Sequence, residues 1–325
     1  MLVNAHLDST LPSPGAADDL YGVATMLEAL RIMSGTPTRL HNSVIFLFNC
    51  AEESLQDASH LYITQHETRH TVRSVINIEA AGTEGKDILF QATNEQMVRA
   101  YAHVPYPYGT IMATEIFGTG VLCVLLACCS CFILRTKRSV SDTDFRQFVD
   151  YGNLTGLDMA LIKNSYLYRM HFIMKFEQKI AQHYILDTRQ DLADNLQPGS
   201  LRHMGENLIS MLGQLTLPGT KLKGQSEQFS PPVFFSAFGG KVFVVYTFET
   251  AFQIYAASSV ILLAVLYDRV RRDQIRQYFL SFVGIFASLF GGIITANVVA
   301  LVMDFRKPLS WSVAFVRLLI KLSFA

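Results

Sequence analysis

The sequence predicts an α/β domain with a largely parallel sheet, followed by transmembrane helices. Over the first 230 residues, short apolar runs alternate with segments whose apolar residues recur at helical spacing. Strands that alternate with helices are typical of layered α/β structures. Two long uncharged runs, 251–267 and 278–303, follow this region. Only 17% of the residues are charged, which is low for a wholly soluble protein and agrees with a membrane part.

The predicted strands are short apolar runs with strand-like composition. They are Leu2–Ala5, Val44–Phe48, Val75–Ile78, Ile88–Phe90 and Met159–Ile162. The apolar spacing of residues 23–33 and 55–66 predicts helices between them. The first strand begins at residue 2 without a preceding signal peptide, so we expect a domain whose start is truncated.

Residues 1–230 are therefore interpreted as the α/β domain, residues 231–250 as a linker and residues 251–325 as a transmembrane region of two to three spans. The second uncharged run has 26 residues, which as a helix reaches about 39 Å and crosses a hydrocarbon core of ~30 Å with tilt. The first run has 17 residues and needs its flanks to span. The alternative is a pair of buried helices in a large soluble protein.

The charges of the chain indicate its orientation and limit its partners. Residues 268–277 contain four arginines and two aspartates, and basic loops between spans prefer the cytosolic side. The α/β domain is then expected on the non-cytosolic side, where the sequon Asn153-Leu-Thr could be glycosylated. The 27 basic and 27 acidic side chains balance. They give no electrostatic reason to expect nucleic acid, whereas membrane lipid is an expected partner.

Residues suited to metal binding follow several predicted strands, at the sheet edge where α/β proteins build their sites. His6 and Asp8 form a His-x-Asp pattern in which an aspartate can orient a metal-binding imidazole. Asp18 precedes a helix and fits either a bridging carboxylate or an N-cap. In the pair Glu52 and Glu53, one acid can ligate while the other acts as general base. A helix N-terminal acidic pair is the alternative there.

Glu79 adds one more carboxylate at a strand end. The four stretches His-Leu-Asp-Ser, Gly-Ala-Ala-Asp-Asp, Ala-Glu-Glu and Ile-Asn-Ile-Glu-Ala-Ala-Gly occur in this order. Together they resemble the zinc aminopeptidase family that includes aminopeptidase Y. The chain is more similar still to its membrane-bound branch, the fungal vacuolar membrane proteases and endoplasmic reticulum metallopeptidases. Residues 141–148 and 191–195 are also similar to that branch.

This resemblance implies a three-layer α/β/α domain with two co-catalytic Zn²⁺ ions. By the same likeness His6 and Glu79 hold one zinc, and Asp18 bridges the pair. Glu53 holds the other zinc, Glu52 is the general base and Asp8 orients His6.

The expected function is that of a membrane-anchored exopeptidase with peptide substrates. It is expected in the vacuolar membrane, with the endoplasmic reticulum membrane as the alternative. A catalytically impaired membrane protein of the same fold, with a binding or structural role, is the competing interpretation. A transporter is disfavoured because the spans carry few polar groups.

The sequence departs from the family pattern where the last histidine ligand should stand in a Tyr-His-Thr stretch. Residues 169–187 separate Tyr168 from Thr188 there, and suitable codons would make this segment an in-frame intron whose removal restores Tyr-His-Thr. If the segment is protein, only one zinc is expected.

Residues 122–139 form a second suspected insert, which contains four of the five cysteines. Their spacing is poor for a cysteine metal site. A re-entrant membrane segment is the alternative.

Overall fold

The computed structural model describes residues 1–11, 13–36, 40–111, 143–164, 191–222, 232–272 and 274–304. The chain divides into two compact units, Met1–Ala251 and Phe252–Ala325. Both suspected inserts, residues 122–139 and 169–187, lie outside the described residues, as do residues 305–325 of the expected transmembrane region.

A five-stranded sheet forms the centre of the first unit, with the strand order β2-β1-β3-β5-β4. Its strands are β1 (Leu2–His6), β2 (Ile45–Asn49), β3 (Ser74–Ala80), β4 (Glu84–Ala92) and β5 (Thr155–Lys163). The first three and β5 run parallel, while β4 pairs antiparallel with β5 at one edge. All five predicted strands are present, and the largely parallel sheet is confirmed.

Helices cover both faces of this sheet and confirm the three-layer α/β/α architecture. On one face lie α1 (Tyr21–Ser34), α3 (Glu95–Tyr101) and α5 (Ser200–Leu215), whose apolar residues share a core with Val3 and Ile76. On the other face, α2 (Asp57–Gln65) and α4 (Asp144–Asp150) pack against Leu2 and Val75.

The second predicted helix begins later than the sequence suggested. The pattern placed its start at Leu55, but α2 begins at Asp57. Leu55 and Gln56 have φ values of 114° and 63°, which are incompatible with a right-handed helix. These two residues therefore form the turn between β2 and α2.

Alternation along the strands places different chemistry on the two faces. On β1, Leu2 faces the core with α2 and α4, whereas its neighbour Val3 faces the core with α1. Further along the α2 face come Asn4 and then His6, both buried. This face therefore changes from apolar at the amino end of the strands to polar at the carboxyl end.

A β-hairpin occupies part of the segment that we expected to be a linker. Strands β6 (Val233–Ala237) and β7 (Val242–Tyr246) pair antiparallel. Phe234 is fully buried in the main core, and its carbonyl accepts a hydrogen bond from the Ile111 N–H at 2.9 Å. The expectation of a linker is wrong for these residues, because their alternate side chains join the domain core.

Two long helices follow, α6 (Phe248–Arg271) and α7 (Ile275–Asp304). In the described part of the chain, α6 is the one helix that is both long and apolar enough to cross a membrane. A second span over 278–303 remains a prediction.

Candidate metal centre

The candidate site lies at the carboxyl ends of β1 and β3. His6 ends β1, Glu79 is the penultimate residue of β3, and Asp18 lies in the connection from β1 to α1. His6 Nε2 is 3.0 Å from Asp18 Oδ1 and 3.7 Å from Glu79 Oε2. One ligand atom from each residue lies within 4.8 Å of the others, and all three residues are buried. The structure thus brings together three of the predicted metal ligands.

The loop that carries Asp18 has an irregular backbone. Gly15 has a φ of 70°, a conformation that favours glycine, and a Cβ there would lie 2.8 Å from the Ser9 Cβ. The peptide bond between Asp18 and Asp19 is cis. Asp19 accepts hydrogen bonds from the N–H groups of His6 at 3.3 Å and Gly22 at 3.0 Å. Asp19 therefore ties the loop to the end of β1.

Asp8 contacts both the imidazole and the acidic pair. His6 Nδ1 lies 2.9 Å from the Asp8 backbone oxygen and 3.5 Å from its Oδ1. The nearer partner of the ring is thus the carbonyl, whereas we expected the carboxylate. The carboxylate accepts the N–H groups of Glu52 at 3.2 Å and Glu53 at 3.0 Å. Asp8 therefore fixes the backbone of the acidic pair beside the histidine.

Glu52 and Glu53 stand at the same edge of the sheet, where the chain leaves β2. Both are half-buried, and among the described residues neither belongs to the group of His6, Asp18 and Glu79. Burial and the nearby charge of Glu79 raise the pKa of Glu52 well above its ordinary value. A carboxyl group with a raised pKa holds a proton more readily than an ordinary one, which suits it to acid–base chemistry.

Electrostatics at the centre favour a bound cation. Burial raises the pKa of Glu79 to about 7, although its contact with His6 acts in the opposite sense. Burial also raises the pKa of Asp19. Burial lowers the pKa of His6, but contacts with Asp18 and Asp8 outweigh it and raise that pKa well above its ordinary value. Perturbed pKa values of buried groups are concentrated at functional sites, and a cation bound here would stabilise the charged carboxylates.

A row of polar side chains below the centre was missed by the sequence analysis. Asn4 Nδ2 donates to Asn77 Oδ1 at 2.7 Å and to Asp144 Oδ2 at 3.0 Å, and Asn77 Nδ2 donates to Asp158 Oδ1 at 3.0 Å. Asn49 also donates to Asp144. Asn4 and Asn77 stand two residues before His6 and Glu79 in their strands. This spacing was a usable signal, because alternate residues of a strand lie on the same face.

The residues present fit a zinc ion. One imidazole nitrogen and two carboxylate oxygens are donors that zinc prefers, and three protein ligands leave a position open for substrate or water. Burial raises the pKa values of Asp19 and Glu79, and a divalent cation beside them would favour their ionised forms. A second zinc would need Glu53 and a further ligand from elsewhere in the chain.

A largely parallel α/β sheet that gathers such donors at its carboxyl edge defines an α/β protein with a candidate metal site at the usual ligand-binding edge. The chain belongs to peptidase family M28, whose family model matches residues 1–212.

Relatives of the chain are named as metallopeptidases and membrane proteases. A Schizosaccharomyces pombe protein that carries the name endoplasmic reticulum metallopeptidase 1 is 47% identical over 244 residues, which are 75% of this chain and 25% of that protein. The Mus musculus endoplasmic reticulum metallopeptidase 1 is 32% identical over 323 residues, or 96% of this chain and 32% of the mouse protein. The vacuolar membrane protease of Neurospora crassa is 29% identical over 203 residues, which are 62% of this chain and 16% of that protease.

These matches confirm the family that the sequence resembled. The chain spans between a quarter and a third of the length of the first two relatives.

Proposed function

We propose that this chain carries the catalytic domain of a membrane-anchored, zinc-dependent exopeptidase. The cluster of His6, Asp18 and Glu79 at the carboxyl edge of a family M28 domain carries this proposal. Family membership supports hydrolysis of peptide bonds, and the names of the relatives support a metallopeptidase.

In this proposal His6 and Glu79 would hold one zinc, Asp18 would be shared by both ions and Glu53 would belong to a second zinc. Zinc, when bound, supplies Lewis-acid polarisation of the scissile carbonyl and makes water more acidic. Glu52 accepts the proton of the attacking water and returns it to the leaving amine. The hydrogen bonds from Glu52 and Glu53 to Asp8 hold this acid in position for both transfers.

We further propose an endomembrane location with the peptidase domain on the non-cytosolic side. The named relatives belong to the endoplasmic reticulum and to the vacuolar membrane. The higher identity to the first favours the endoplasmic reticulum over the vacuole that we expected. Helix α6 supports anchoring in lipid, and Asn153 is exposed in the turn before β5, as a glycosylated residue must be.

A catalytically impaired protein of the same fold is the second candidate. One observation favours it, namely that no Tyr-His-Thr stretch is present in the sequence. Such a chain would still bind one zinc through His6, Asp18 and Glu79.

The test measures zinc stoichiometry and the hydrolysis of amino-acid amides by the full chain in detergent. For an active enzyme we expect Glu52→Gln to lower kcat by about 10²- to 10⁴-fold, because the proton acceptor is lost, while the zinc content stays unchanged. Glu67→Gln, which alters an exposed acid outside the site, is the matched control and should be fully active. Bound zinc without amide hydrolysis would favour the impaired form, and absence of zinc binding would refute both.

A further inference from the structure

We propose that Asp191 is a positioning residue that holds Asp18 in place for the metal. The inference rests on the proposed zinc site and adds a residue that contacts no metal itself. Asp191 lies 173 residues after Asp18 in the chain and is fully buried.

Three consecutive backbone N–H groups donate to Asp191. The Ala16 N–H donates to its carbonyl oxygen at 3.2 Å. The Ala17 N–H donates to Oδ1 at 2.7 Å and the Asp18 N–H to Oδ2 at 3.2 Å. Both carboxylate oxygens are thus engaged by the backbone of the loop that carries the bridging ligand.

The loop needs an external support because it is not a regular helix. Asp18 has the non-helical angles φ −113° and ψ 94°, and it is the third residue of its segment, where backbone N–H groups have no partner within a helix. Asp19 fixes the other end of the loop through the N–H groups of His6 and Gly22. Asp18 is therefore held between two carboxylates, one on its own loop and Asp191 on a distant segment.

Asp191 can hold the loop of Asp18 in place because hydrogen bonds fix the segment to which Asp191 belongs. Six residues further on, the Gln197 N–H donates to the Thr83 carbonyl at 3.0 Å, and Gln197 Oε1 accepts the Gly85 N–H at 2.9 Å. Thr83 lies between β3, the strand that carries Glu79, and β4, and Gly85 is the second residue of β4. The segment from Asp191 to Gln197 thus connects the loop of Asp18 to the part of the chain that directly follows the strand of Glu79.

The experiment titrates the full chain in detergent with zinc alone, in competition with a chromophoric chelator. We expect Asp191→Ala to weaken zinc binding by about 10- to 100-fold, the range typical of residues that support metal ligands. Asp191→Asn retains one acceptor oxygen and should lose less. The visible spectrum of the Co²⁺-loaded protein should change in Asp191→Ala, because the ligand geometry changes.

Two control variants separate positioning from general stability. Asp194→Ala removes an exposed acid three residues away and should bind zinc like the wild type. Asn207→Ala removes a buried side chain that bonds the Tyr106 backbone, so it should lower the melting temperature without changing zinc affinity. Wild-type zinc affinity in Asp191→Ala would overturn the inference, as would an equal loss in Asn207→Ala. A wild-type chain that binds no zinc would instead refute the proposed function.

Discussion

The imidazole of His6 shows how neighbouring acceptors set the charge of a single residue. Its Nδ1 lies 2.9 Å from the Asp8 carbonyl, and its Nε2 lies 3.0 Å from Asp18 Oδ1. A carbonyl can only accept, so Nδ1 carries the hydrogen of its contact with Asp8, and Nε2 faces the Asp18 carboxyl group. Burial lowers the pKa of His6, but the contacts with Asp18 and Asp8 outweigh it and raise that pKa. A metal bound at this site would occupy the Nε2 position.

Asn77 illustrates a residue whose polar contacts stabilise the sheet beneath the site. Asn77→Leu keeps a similar volume but removes the donor to Asp158 and the acceptor for Asn4. Because buried polar groups then lose partners, we expect the free energy of unfolding of the metal-free protein to fall by about 3 kcal/mol. Chemical denaturation measures this change.

The matched control is Gln65→Leu, which places the same side chain at an exposed position of α2. Its effect should stay within about 0.5 kcal/mol, as for most surface substitutions. Equal stabilities of the two variants would show that the polar row does not stabilise the fold.

The sequence predicts some elements well because local composition determines them. Strands β1 and β3 are buried on both faces, and the edge strand β2 is half-buried on both, so all three contain short apolar runs. Hairpin β6–β7 was missed because Ser230-Pro-Pro, directly before it, is typical of a linker. Gly239 and Gly240, with φ values of 68° and 87°, in fact form its turn. Its stability depends on Phe234 entering a core that is distant in sequence.

Helix α6 allows a test of membrane anchoring. Its side chains from Phe252 to Val265 are mostly exposed and uncharged. Val260→Arg places a charge near the middle, which costs about 2.5–3.5 kcal/mol on insertion scales. We expect insertion of the α6 segment to fall severalfold, measured by reporter glycosylation in microsomes.

The control for this variant is Glu249→Arg in the first turn of α6. An arginine near a helix end reaches water, so insertion should remain at the wild-type level. If Val260→Arg leaves the inserted fraction of the α6 segment unchanged, the result would contradict α6 as a membrane span.

The candidate site could be predicted in part because strand ends converge at one edge of a parallel sheet. This rule places His6 and Glu79 together, and the structure brings Asp18 to them. The rule does not reveal Asp144 or Asp191, which reach the site from positions 140 and 173 residues away from their partners Asn4 and Asp18. Their contacts depend on how the whole domain closes.

The suspected insert at residues 169–187 gives a prediction for the whole chain. If residues 169–187 are translated from a retained intron, the correctly spliced message joins the codon of Tyr168 to a histidine codon, which the codon of Thr188 follows. Sequencing of the transcript across this junction checks the prediction. A message that retains the segment refutes the intron, and this chain is then expected to bind one zinc at most.

The stability of the metal-free protein should depend on pH through the buried carboxyl groups. Burial raises the pKa of Glu79 to about 7, and it also raises the pKa values of Glu52, Asp19 and Asp144. Above the ordinary range of carboxyl pKa values, the folded state therefore holds protons that the unfolded chain has released. Because the native state binds more protons, the free energy of unfolding decreases as the pH rises. The raised pKa of His6 acts in the same direction.

We therefore expect the metal-free melting temperature to fall by roughly 5 °C or more between about pH 5.5 and pH 8, since a few kcal/mol shift the melting temperature of a domain of this size by that amount. Zinc needs deprotonated ligands, so its stabilising effect should grow over the same interval. Thermal melts with chelator and with zinc measure both slopes. Glu79→Gln removes one of the titrating groups and should flatten the metal-free slope. A metal-free protein that becomes more stable towards pH 8 would show that these carboxyl groups are already ionised at acidic pH, and their electrostatics would then not indicate a cation at this edge of the sheet.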